Sequence, residues 1–104
     1  MTDRELLEAA ARAAGIVVKF TESPKDGCYL VENGEAMGWW NPLLDDGDAF
    51  RLAVKLKLTL DIGDDASEAV SPIHYHTEQH KGDPLAATRR AIVRAAAAMG
   101  GSDE

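Results

Sequence analysis

All three histidines of the chain, His74, His76 and His80, fall within one short stretch. Neutral imidazoles at i and i+2 on a strand project from one face, and with a third nearby they can bind zinc or nickel, with Asp83 able to complete the shell. The competing reading is a polar strand face running into a solvated loop. It is favoured because the stretch has no cysteine and lacks the tighter spacing of structural sites. Ser71 invites a hydrolytic reading, but no nucleophile elbow or oxyanion device accompanies it. Asp45, Asp46 and Asp48 surround Gly47 and suggest calcium, yet the EF-hand alternation and its distal glutamate are missing. Capping of a helix explains these acids more simply. Asp61, Asp64 and Asp65 read as a solvated turn. Arg89, Arg90 and Arg94 could contact phosphates, but on an acidic chain solvation or pairing with nearby acids is the simpler account. The Gly100-Gly101 pair follows a helix rather than preceding one, so it is no phosphate cradle. Cys28 reads as a small buried apolar residue.

Trp39 and Trp40 are adjacent, so on a strand they point to opposite faces. One belongs to the core. The other is either covered by a helix or exposed as a binding anchor. Strand register decides which, and a bulge at Gly38 would exchange them.

These residues have to be positioned by short elements. Thr2-x-x-Glu5 is a capping box, and Leu6, Leu7, Ala10, Ala13 and Ala14 share a helix face that ends at Gly15. The β-branched run from Ile16 to Phe20 predicts a strand, and residues 22–27 a turn. Asn33-Gly34 between 28–32 and 35–40 predicts a β-hairpin. Asn41-Pro42 ends its second strand, and the acids that follow open a helix whose buried stripe is Ala49, Leu52, Ala53 and Leu56. Phe50 flanks that stripe, while Asp48, Arg51 and Lys55 face water. Residues 57–62 alternate, with Leu58, Leu60 and Ile62 inward. Residues 68–76 predict a further strand in which Pro72 marks an edge or bulge. Residues 77–82 read as loop. Asp83-Pro84 opens a long last helix with Leu85, Thr88, Ile92, Ala95, Ala96 and Met99 as its core stripe. The expectation is an α+β domain spanning 1–104, of order α-β-β-β-α-β-β-α, with a frayed tail near 101–104 and no internal repeat. A mostly antiparallel sheet of four to five strands is packed by three helices. The alternation favours two layers; the alternative has helices on both faces, because Val17, Tyr29 and one tryptophan need cover.

Composition bounds the function. The 104 residues carry a net charge of −7, the wrong sign for nonspecific grip on nucleic acid. A hydrophobic content of 45% supports a real core and argues against wholesale disorder. No apolar run approaches the roughly 20 residues of a membrane span. The polar, acidic opening is unlike a signal peptide, and a single cysteine fits a reducing cytosol.

The stretches WNPLLDDGDAFRLAVKL and GDPLAATRRAIVRAAAAMG, with the opening MTDRELLEAAARAAG, resemble a family of small, uncharacterised proteins encoded in tailed bacteriophages and prophages. These pair a WNP-then-acidic corner with a helix, two strands and a closing Ala/Arg-rich helix. The layout is also similar, more distantly, to the phage α-β-α sandwich domain. The resemblance implies a phage or prophage gene expressed in a bacterial cytoplasm, and it carries no activity and no catalytic residue. We therefore expect a non-enzymatic accessory protein without a cofactor, acting by protein–protein binding on a host or phage protein or on its own copy. Its contact residues are expected among Trp39, Trp40, Arg90 and Arg94. The alternatives are an acidic nucleic-acid mimic or nucleic-acid-associated regulator, and a metal site at His74, His76 and His80.

Overall fold

Thr2 caps the first helix as its spacing to Glu5 predicts. Its hydroxyl accepts the Glu5 amide (3.1 Å) and the Glu5 carboxylate accepts the Thr2 amide (2.8 Å), which holds the Glu5 carboxyl below its ordinary pKa. The computed structural model describes residues 2–20 and 28–100. Helix α1 (Asp3–Ala14) is followed by strands β1 (Val18–Phe20), β2 (Cys28–Glu32) and β3 (Glu35–Trp40). Then come helix α2 (Asp46–Leu56), strands β4 (Thr59–Ile62), β5 (Ala66–Val70) and β6 (Tyr75–Gln79), and helix α3 (Pro84–Gly100). The turn expected at 22–27 and the tail at 101–104 lie outside the described residues.

The succession of helices and strand groups matches the expectation; the sheet does not. Instead of one sheet of four to five strands there are two antiparallel sheets of three, β1-β2-β3 and β4-β5-β6. The additional strand arises at Ser71-Pro72. The Ser71 amide donates to the His74 carbonyl (2.8 Å) and the Ser71 hydroxyl accepts the His74 amide (3.0 Å). Proline, with φ already set, occupies the second position of this tight turn. Pro72 thus marks a hairpin rather than an edge or bulge, and Thr77–Gln79 belong to a strand rather than a loop.

The three helices pack on one another, and α3 also lies over β5 and β6. Contact is most extensive between α1 and α3, where Ala9, Ala10, Ala14, Ala91, Ala95 and Ala96 are all buried. Small side chains let the two backbones approach. At Gly100 the approach is so close that a Cβ would lie 2.3 Å from the Ala9 carbonyl oxygen. In the second sheet α3 covers β5 and β6, and in the first sheet Val18, Phe20, Cys28, Leu30 and Trp40 turn one face to the core. Val17 and one tryptophan stand exposed on the open face, and Tyr29 is half-buried there without a helix over it. Ile62 departs from expectation too. It shares its face with buried Ser67, but β4 is an outer strand and α3 lies over β5 and β6, so Ile62 is exposed.

Although no sequence repeat is visible, the architecture repeats: α1-β1-β2-β3, then α2-β4-β5-β6, then α3. Both leading helices end on a left-handed residue, Gly15 (φ 71°) and Lys57 (φ 58°). The same closing bond follows each, Ile16 amide to Ala11 carbonyl (2.9 Å) and Leu58 amide to Ala53 carbonyl (3.0 Å). Each meander then leads into an Asx-Pro corner, Asn41-Pro42 and Asp83-Pro84.

Candidate interaction surface

The β2–β3 hairpin decides the fate of the tryptophans. Asn33 (φ 54°) and Gly34 (φ 83°) form its turn, both left-handed as the Asn-Gly signal requires. An unbroken register counted from that turn would set Trp39 opposite Cys28, facing the core. The observed register slips between Leu30 and Val31: Val31 opposes Ala36, Leu30 opposes Gly38, and Cys28 opposes Trp40. Met37 is the extra residue of a bulge, and Gly38 at φ 125° takes a conformation that favours glycine. The bulge therefore sends Trp40 inward, 4% exposed, and Trp39 outward, 70% exposed. Trp40 packs beside Cys28, whose thiol donates to the Trp40 carbonyl (3.3 Å) and is pushed up to about 11 by burial, with the Asp48 charge adding. So placed, Cys28 is a core residue and no nucleophile. Trp39 meets the Tyr29 ring edge-to-face at 6.2 Å, in a row completed by Lys19 on β1. Met37 and Val17 are exposed nearby.

Just after Trp40 the chain turns on Asn41. Its side-chain oxygen accepts the Leu43 amide (3.0 Å) and its carbonyl accepts those of Leu44 and Asp45 (3.0 and 2.8 Å). Its own amide donates to Asp48 Oδ2 (2.9 Å). The corner acids are not equivalent caps. Asp45 is the N-cap, accepting the Asp48 amide at 2.8 Å. Asp48 is buried rather than water-facing, and it reaches back to Asn41 and sideways to Arg51 (2.7 Å). Asp46 pairs with Arg89 (2.6 Å), whose Nε also donates to the Leu43 carbonyl (2.8 Å).

The arginines of α3 are likewise placed inside the architecture. Arg90 pairs with Asp3 at the start of α1 (3.2 Å), and Arg94 with Glu78 on β6. Each guanidinium of Arg89, Arg90 and Arg94 thus joins α3 to a different element. None lies in the row formed by Lys19, Tyr29 and Trp39.

His74, His76 and His80 do not converge. The His74 and His76 rings are 6.3 Å apart, whereas His80 is held elsewhere, its Nε2 on the Ser67 hydroxyl (2.8 Å) and its Nδ1 on the Asp64 carbonyl (3.2 Å). Asp83 caps α3 through the Ala86 amide (3.0 Å). Among the described residues no three His, Cys, Asp or Glu side chains form a group able to hold a metal ion. His76 Nε2 is buried without a partner, and desolvation, then the charge of Arg94, lowers the pKa of the ring. Ser71, the hydroxyl singled out from the sequence, is used by its turn.

The hydroxyl that does meet an imidazole is Ser67, missed because its role depends on a strand pairing that brings 67 and 80 together. Ser67 also contacts the Thr88 hydroxyl (2.7 Å), which in turn donates to the Pro84 carbonyl (2.8 Å). In outline a serine beside an imidazole is an activated nucleophile. Here the serine is 1% exposed between sheet and helix, so no acyl group can reach it. The chain from Asp64 through His80, Ser67 and Thr88 to Pro84 instead pins α3 to the second sheet.

Comparison with known protein families, curated proteins and solved structures finds no match to the chain. No helix among the described residues is long and apolar enough to cross a membrane. What the geometry presents for contact is the open face of the first sheet, where exposed Trp39 meets Tyr29 on a hydrogen-bonded scaffold.

Proposed function

We propose that the protein is a non-enzymatic binding module, a phage or prophage accessory protein that docks a host or phage protein in the bacterial cytoplasm through the open face of its first sheet. The exposure of Trp39 carries this reading. A large exposed indole held in a T-shaped contact with Tyr29 is costly to leave in water and is the kind of anchor around which interfaces are built. The bulge at Met37-Gly38 supports it, since an unbroken hairpin would have buried that indole. The test is co-purification from the bacterial host with wild-type and Trp39→Ala protein, with Tyr75→Ala controlling for loss of an exposed aromatic elsewhere. A specific partner should be lost only with Trp39→Ala, and its binding should shift the Trp39 emission to the blue. Partner recovery unaffected by Trp39→Ala would end the proposal.

A second reading, the acidic nucleic-acid mimic, draws on the second sheet. Asp61 on β4 stands directly opposite Glu68 on β5, on the face turned away from α3, with Asp64 and Asp65 in the connecting turn. Like charges facing across strands are destabilising, so their retention favours a role outside the fold. Under this reading Asp61→Asn with Glu68→Gln would stabilise the protein and weaken its hold on a DNA-binding partner.

A further inference from the structure

We propose that two copies of the chain associate through the outer face of α2, antiparallel about a two-fold axis. Phe50 and Val54 stand one turn apart on the side of α2 away from the buried Ala49, Leu52 and Ala53, and they are 65% and 59% exposed. Leu44, just before the helix, is exposed as well. The inner side of α2 is already packed in the core, so this stripe is a second apolar face for which the described residues offer no cover.

Charge selects the occupant. A chain of net charge −7 repels its own copy, and a self-contact has to be built where charge is locally balanced. The segment 45–57 is such a place: Asp48 and Arg51 pair with one another, which leaves Asp45 and the largely exposed Asp46 at its start and Lys55 and Lys57 at its end. An antiparallel copy sets the acidic first turn of one α2 beside the basic last turn of the other, and the helix dipoles oppose. A parallel copy would stack like charges on like. Among the described residues Lys55 and Lys57 make no ion pair, so they are available to a partner. The Trp39 face lacks such self-complementarity, since Lys19 is the one charge in its row. The isologous α2 contact closes on itself, which gives a dimer rather than a filament.

The test is sedimentation equilibrium of the full chain into the high micromolar range. The mass should approach twice 11.2 kDa. Phe50→Asp with Val54→Asp should weaken association by about 30-fold or more, as loss of a buried apolar anchor does. Lys55→Glu with Lys57→Glu should also weaken it, whereas Lys19→Glu and Trp39→Ala should leave it unchanged. Both replaced pairs are exposed in the single chain, and far-UV circular dichroism verifies that each variant is folded; should the apolar pair fail to fold, the lysine pair still decides. A monomer at the highest concentration, or a dimer that survives Phe50→Asp with Val54→Asp, overturns the proposal. Indifference to the lysine reversal overturns the antiparallel arrangement. Because Trp39→Ala leaves this dimer intact, the outcome is independent of the partner reading above.

Discussion

Replacing Asp48 with alanine should destabilise the protein by about 2–3 kcal/mol, more than the loss of any other acid in the α2 corner. The magnitude follows from what the carboxylate holds. Its Oδ2 accepts the Asn41 amide at 2.9 Å in a part-buried turn, and an amide left there without an acceptor costs about 1–3 kcal/mol. Its Oδ1 pairs with Arg51, but that side chain is 72% exposed, so the ion pair contributes at most about 0.5 kcal/mol. A carboxylate at a helix N-terminus adds about 0.3–1 kcal/mol through the dipole. Asp45→Ala removes an N-cap, for about 1 kcal/mol. Asp46→Ala takes from Arg89 a largely exposed partner while leaving it the Leu43 carbonyl, for less than about 1 kcal/mol. Asp48→Asn keeps an acceptor for Asn41 and should recover much of the alanine loss. Urea unfolding of the four variants, followed by tryptophan fluorescence and circular dichroism with and without calcium, measures the order. An Asp48→Ala cost no greater than that of Asp45→Ala, or an asparagine no better than alanine, would refute the argument. Calcium-dependent stabilisation lost in these variants would replace it with a metal site.

Trp40→Ala should cost about 3–5 kcal/mol and Trp39→Ala less than about 1 kcal/mol, and a soluble quencher should reach the indole only in the variant that retains Trp39; equal shielding of both indoles would contradict the register. Cys28 should resist thiol reagents in the folded protein, reacting only at the rate of opening, since its thiol is buried and pushed up to about 11; rapid stoichiometric labelling would count against this placement. His76 should make the protein less stable in mild acid. Its folded pKa lies below the unfolded value of about 6.5, so as pH falls through that value the unfolded chain takes up the proton first and stability declines until the folded pKa is passed. His76→Gln should flatten this part of the melting-temperature profile, and an unchanged slope would rule out His76 as its source. Gly100→Ala should destabilise the protein because the new methyl would meet the α1 backbone; thermal unfolding matching the wild type would show that α3 can shift freely.

Local signals made most elements legible in the sequence. The Thr2 capping box, the Asn33-Gly34 turn and the Asp83-Pro84 opening are each set by residues within a few positions of one another, and all appear as expected. The failures required non-local information. Ser71-Pro72 can end a strand, bulge it or turn it back, and the choice of a hairpin depends on whether residues 75–79 find a partner in β5, which no local pattern states. Helical phase alone turns Asp48 toward water, but the Asn41 amide, in a turn outside the helix, needs an acceptor and draws the carboxylate inward. The bulge at Met37-Gly38 was the most consequential ambiguity. A one-residue slip exchanges the faces of two adjacent tryptophans, so the candidate surface hinged on a glycine whose role only the strand register reveals.

The distribution of cations bears on what kind of partner the molecule can meet. All six arginines are engaged within the chain. Arg4 lies over the Phe20 ring (4.5 Å) and near Glu8, and Arg12 donates to the Gly100 carbonyl (3.0 Å). Arg51, Arg89, Arg90 and Arg94 pair with Asp48, Asp46, Asp3 and Glu78. Individually such exposed or half-exposed pairs contribute little to stability. Their value is geometric, because the three from α3 run to α1, to the α2 corner and to β6, and so orient one helix against both halves of the repeated architecture. A guanidinium used in this way can reach a phosphate only by releasing its carboxylate, which weakens the case for nucleic acid along α3. Besides lysines and carboxylates, the outer surface carries the aromatic row of the first sheet and the Leu44, Phe50 and Val54 stripe of α2 proposed above for self-association. Of these, the aromatic row alone combines a large apolar area with a backbone fixed by strand pairing, which is why the reading of function rests there rather than on the arginine helix.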